Sequence, residues 1–123
     1  MKRSGFVFLL LLFSIVGTAQ NNKPIADSEP TYPKGDNALY QKILMNIPYS
    51  DEAKNKYVQG EVMLSFDVMA DSTVANVIII SGVGYGIDEE VKKLILSSKF
   101  NPGVQNGSVV KMNTMYTFPV KAH

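Results

Sequence analysis

The hydrophobic pattern changes character several times along the chain. Residues 6–16 are apolar except for Ser14; Lys2 and Arg3 precede them and Gly17, Thr18 and Ala19 follow. A charged start, a short apolar run and small residues predict a secretory signal peptide over residues 1–19, cleaved before Gln20. From Gly5 to Ala19 the run makes about 22 Å of helix, against roughly 30 Å of hydrocarbon, so no span is expected in the mature chain. Retention of this segment would instead tether the protein to the inner membrane. Residues 20–31, QNNKPIADSEPT, are polar, hold Pro24 and Pro30 and show no hydrophobic period, which predicts a flexible leader.

A single domain is expected over residues 32–123. Leu39, Tyr40, Ile43, Leu44 and Ile47 form one helical stripe, capped by Asp36 and ended by Pro48. Ser50 is placed to cap a second, short helical turn through Asp51, Glu52, Ala53 and Lys54, closed by Gly60. The period then becomes two. Val62, Leu64, Phe66 and Val68 alternate with Glu61, Met63, Ser65 and Asp67, as in a half-buried strand. After a turn at Ala70, Asp71 and Ser72, the β-branched run Thr73 to Ser81 reads as the returning strand of a hairpin. Asp88 opens a helix whose Val91, Leu94, Ile95 and Ser98 share a face, stopped by Asn101, Pro102 and Gly103. A polar loop through Asn106 and Gly107 leads to a last alternating stretch. Its inner set is Val110, Met112, Thr114, Tyr116, Phe118 and Val120. These elements predict an α+β fold: a small three-stranded antiparallel sheet with two principal helices on one face and water on the other.

Composition narrows the chemistry. Twelve Lys and Arg against eleven Asp and Glu exclude a protein held to nucleic acid by bulk charge. With no cysteine there is no disulfide, thiolate nucleophile or cysteine-ligated metal. The one histidine, His123, is at the chain end, where a catalytic base has no rigid support. No nucleophile with a base is visible, so a small envelope hydrolase is disfavoured and no enzyme, metal or cofactor is expected. Gly82, Gly84 and Gly86 invite a phosphate-loop reading, but the spacing is G-x-G-x-G and an antiparallel hairpin precedes it. Asp88, Glu89 and Glu90 are read as carboxylates complementing a helix dipole rather than as a metal cluster. Tyr49, Tyr57 and Tyr85, in turns, leave a sugar-stacking platform open, whereas Tyr116 is in phase with the core.

A small sheet has two edges, each able to pair with a further extended chain. The terminal strand, residues 109–118, is the best candidate. Its outward set, Val109, Lys111, Asn113, Met115 and Thr117, carries one charge and little else to discourage pairing.

The punctuating residues resemble those of the TonB C-terminal domain family, the energy transducer of Gram-negative envelopes. They are Tyr32-Pro33-Lys34-Gly35-Asp36-Asn37-Ala38-Leu39, Asn46-Ile47-Pro48-Tyr49 with Glu52 and Ala53, and Gln59-Gly60-Glu61-Val62 leading to Phe66 and Val68. Val74, Val77 and Ile79, Ile87-Asp88-Glu89-Glu90, Phe100-Asn101-Pro102-Gly103, Asn106-Gly107 and Thr117-Phe118-Pro119-Val120 continue the series. The chain departs from the family at Tyr49-Ser50, where Tyr-Pro is usual, at Asp71-Ser72, where a glycine usually follows the aspartate, and at Ala122, where an aromatic is usual. The resemblance implies a periplasmic, non-enzymatic binding module in which the terminal strand receives a short extended segment of a TonB-dependent outer-membrane transporter or other envelope protein. Tyr49 and Ser50 fall near the family's receptor-contact surface and join the candidate partner-binding set. The leader would stretch only about 40 Å, too short to replace the family's long spacer, so energy transduction by this chain alone is not expected. The alternative from a different class is a structural or assembly protein, forming a homodimer through the same edge strand.

Overall fold

The computed structural model describes residues 27–123. The expected signal peptide, and the leader up to residue 26, lie outside the described residues. In chain order the elements are α1 (Asp36–Leu44), α2 (Asp51–Asn55), β1 (Gln59–Val68), β2 (Val74–Ser81), α3 (Ile87–Leu96), β3 (Gly103–Gln105), β4 (Ser108–Val110) and β5 (Met112–Lys121). The α+β expectation holds: a three-stranded antiparallel sheet in the order β2-β1-β5 carries the helices on one face. Among the described residues no helix is long and apolar enough to cross a membrane.

Strand alternation builds the core. Val62, Leu64, Phe66 and Val68 of β1, Val74 and Val77 of β2, and Phe118 and Val120 of β5 are buried. Leu39 and Ile43 of α1 and Ile87, Val91 and Ile95 of α3 close over them, with Phe100 from the loop after α3. The ring of Phe66 lies 5.3 Å from Phe100 and 5.9 Å from Tyr116, and Tyr40 meets Phe118 edge-on at 5.4 Å. Such pairs add to the area term that drives burial. On the far face Ile78 and Ile80 stay 60% and 49% exposed.

Several boundaries differ from the sequence expectation. Asp36 is the first residue of α1 rather than its cap; Gly35 occupies the cap position without a side-chain bond. The helix ends at Leu44, and Ile47 is buried from the following turn instead of from the helix. Ser50 caps α2 as expected, its Oγ accepting the Ala53 N–H at 3.1 Å. Gly60 lies inside β1, because residues 59 and 60 pair with Lys121 and Val120. The glycine-rich turn before α3 has no room for an anion: the Asp88 carboxylate accepts the N–H groups of Val83 and Gly84 at 2.9 and 3.1 Å. A Cβ on Gly82 would come within 2.2 Å of that carboxylate, so the close approach requires glycine there.

Two larger corrections concern the edges of the domain. The region read as a polar loop is a hairpin, β3 paired with β4, and Asn106-Gly107 makes its two-residue turn with φ of 52° and 78°. Positive φ at both positions matches the right-handed twist of the flanking strands. The terminal strand is therefore not continuous from Val109. Val109 pairs with Val104 in the hairpin, the chain breaks at Lys111, and β5 starts at Met112. The end of the expected leader is held as well. Ser28 exchanges backbone hydrogen bonds with Val104, Thr31 does so with Asn101, and Pro30 is buried.

Candidate functional site

The outer edge of β5 is set by its register against β1. The pairs run without a shift from Gln59 opposite Lys121 to Val68 opposite Met112. In an antiparallel ladder both backbone groups of a residue point to the same side, and the side alternates with each residue. Just past the strand, the Ala122 N–H donates to the Val58 carbonyl at 2.8 Å, which turns the even-numbered residues towards β1. The Lys121 N–H points the other way and donates to the Tyr49 hydroxyl at 3.3 Å. Asn113, Met115, Thr117 and Pro119 thus carry the outward backbone groups. Proline has no N–H to lose there, which is why the ladder tolerates it. Among the described residues no backbone acceptor meets the N–H of Asn113, Met115 or Thr117. They recur about every 7 Å along a straight edge.

The expected set of partner-contacting residues is divided by the fold. Asn113, Met115 and Thr117 come together on the open edge, with Met115 55% exposed. Lys111 is exposed but precedes the strand, and Val109 is exposed on the hairpin. Tyr49 is half-buried at the opposite end of β5, where its hydroxyl closes the edge at Lys121. Ser50 beside it is occupied in capping α2. The open run is therefore residues 113–117, bounded at one end by Lys111 and at the other by Pro119 and Tyr49.

On the outer sheet face Asp67 ties the three strands together. Its carboxylate accepts the side-chain amide of Asn113 at 3.0 Å and that of Asn76 at 2.8 Å. These two bonds, first that of Asn113, hold the Asp67 carboxyl below its ordinary range. The bond to Asp67 orients the Asn113 side chain while its backbone stays free.

On the helix side the same edge borders a groove of about 390 Å3 that sequence reasoning missed. Glu29, Pro30 and Thr31 form one wall, Asp36 and Tyr40 of α1 another, and residues 114–117 of β5 the third. The Tyr116 hydroxyl donates to Asp36 Oδ1 at 3.1 Å. Burial, then this hydrogen bond to a carboxylate, pushes the phenol up to about 12. Pro119 inside an alternating strand was a readable sign of an edge; nothing local linked residues 29, 36 and 116.

The family description Gram-negative bacterial TonB protein C-terminal matches residues 45–120, more than half of the chain. The chain belongs to the TonB C-terminal domain family. This family is a non-enzymatic energy-transducer domain. Among solved structures the chain is similar to the TonB C-terminal domain of Pseudomonas aeruginosa, at 20% identity and a TM-score of 0.46, covering 79% of this chain and 82% of that one. It is also similar to the TonB C-terminal domain of Helicobacter pylori, at 20% identity and a TM-score of 0.38, covering 70% and 86%. A comparison with curated proteins found no match. Membership in the TonB C-terminal domain family places the chain's work at the cell envelope and links it to transport.

Proposed function

We propose that the chain is an exported binding module of the periplasm that captures an extended segment of a TonB-dependent outer-membrane transporter, or of another envelope protein, by adding it to the outer edge of β5. Residues 1–19 act as the export signal and residues 32–123 as the binding domain, with the polar stretch between them as a leader anchored at Ser28 and Thr31. The observation that carries the reading is the row of outward N–H groups at Asn113, Met115 and Thr117 without a backbone acceptor among the described residues. An added strand satisfies these groups, and its alternate side chains meet the two faces of the sheet, which supplies selectivity. Bulk charge adds little steering, since the chain is close to neutral.

Self-association is the second reading, favoured by Met115 at the centre of the free run. Two copies paired antiparallel about Met115 would set Asn113 opposite Thr117 and bury both methionines.

The test is a fluorescence titration of the full chain with transporter N-terminal peptides, beside sedimentation of the protein alone. Asn113→Pro is expected to abolish binding of every peptide that shifts the signal while keeping a cooperative melt, because the N–H it removes faces outward. A tight dimer dissociated by Asn113→Pro would favour self-association. Binding undiminished by Asn113→Pro would remove the edge as the recognition element.

A further inference from the structure

We propose that the groove along the helix side of β5 selects a cationic side chain, Lys or Arg, from a peptide paired on that edge; the inference rests on the edge-pairing reading above. Peptide residues opposite Asn113, Met115 and Thr117 share the outer sheet face with those side chains. Residues opposite Thr114 and Tyr116 turn towards α1 and enter the groove, whichever direction the peptide runs, because side chains alternate in either case. The groove lining includes two carboxylates, Glu29 and Asp36, and two tyrosines, Tyr40 and Tyr116.

The Tyr116 hydroxyl engages one Asp36 oxygen, Oδ1, and leaves Oδ2 for a further donor. Among the described residues the ion pairs are Lys56 with Glu52 and Lys93 with Glu90, so neither Glu29 nor Asp36 is neutralised by a described Lys or Arg. A Lys or Arg stem can lie along a tyrosine ring while its head meets a carboxylate of the groove. A neutral polar side chain forfeits the charge, and an acidic one is repelled. No group of three or more metal-ligating side chains occurs among the described residues, which leaves an organic cation as the better match to two carboxylates.

The test uses the full chain and short Thr-Val peptides that differ at one central position, occupied by Lys, Gln or Glu; the free edge lets each peptide slide until that position faces the groove. At low salt the Lys peptide is expected to bind about threefold to tenfold more tightly than the Gln peptide, with the Glu peptide weakest. Raising the salt should shrink the difference. Combining Glu29→Gln with Asp36→Asn should remove the preference for Lys, read as the ratio of the Lys-peptide to the Gln-peptide affinity falling to about one. Asp36→Asn keeps an acceptor for Tyr116, and Glu29→Gln alone, at an exposed position, should reduce the preference if the double variant does not fold. Equal binding of the Lys and Gln peptides, or a preference that survives these substitutions, overturns the cation selectivity. If Asn113→Pro abolishes that equal binding, the edge-pairing reading still stands. Failure of all the peptides to bind overturns both.

Discussion

The two edges of the central sheet, β2 and β5, are made of similarly apolar residues yet differ in how they can be used. β2 pairs with β1 through two register shifts, between Met63 and Leu64 and between Ser65 and Asp67, and Asn76 sits at a φ of 55°. Bulges of this kind twist an edge and interrupt the row of groups a further strand would need. β5 follows β1 residue for residue with no shift. Its outer groups stay in line until Pro119, and the Tyr49 hydroxyl closes the end at Lys121. Exposed apolar side chains alone would mark β2, with Ile78 and Ile80, as the stickier edge. Backbone regularity marks β5.

The largest expected effect removes the support beneath both edges. Phe118 is fully buried against Tyr40 and Tyr116, so Phe118→Ala is expected to cost about 3–5 kcal/mol, read as a fall in the urea midpoint. For a domain of this size that approaches the whole of its stability. The next test separates the two sides of β5. By the alternation of the ladder, Thr114 faces β1 opposite Phe66. Thr114→Pro deletes an internal ladder bond, leaves its partner on β1 unpaired and should cost about 1–3 kcal/mol, read from the melt, whereas Asn113→Pro, one residue away, keeps the ladder and loses only the exposed side-chain bond to Asp67. A smaller effect is expected at the groove. Tyr116→Phe loses the hydroxyl bond to Asp36, about 1 kcal/mol at neutral pH. With the phenol raised to about 12, the folded state holds a proton that the unfolded chain releases near 10. That stabilisation is complete below pH 10 and disappears as pH rises through 12, so the parent should lose stability over that window and Tyr116→Phe should not lose this part of it. Absorbance and circular dichroism followed together check both. The smallest effect is the control on the other edge. Ile78→Lys on β2 should shift stability by less than about 0.5 kcal/mol and leave peptide binding unchanged, since its side chain is exposed and away from β5.

Much of the fold was legible because the relevant signals are local. Side chains alternate along a strand whatever its neighbours, so the inward set of β1 and the outward set Asn113, Met115 and Thr117 followed from spacing alone. The Ser50 cap followed from an oxygen placed three residues before an N–H that needs an acceptor. Met112 shows the limit of the pattern: it is in phase with the core yet half-buried, because the sheet ends there and its side chain lies against Gly103.

What the pattern could not contain was the choice of neighbours. Which backbone groups of β5 remain free depends on β1 taking the central place and on a register fixed across residues 59–121; a one-residue slip would expose the opposite set. The break at Lys111 likewise came from Val109 and Val110 pairing back onto Gly103 and Val104. The groove has the same origin, bringing Glu29, Asp36 and Tyr116 together although Asp36 and Tyr116 are 80 residues apart. The sequence by itself determined the main helices, the three strands of the central sheet and the core face, which depend on periodicity and short-range chemistry, and its punctuating residues carried the family resemblance. The free edge and the charged groove were decided by tertiary structure, because an edge is defined by the strand that is missing beside it and a groove by segments that meet only after folding.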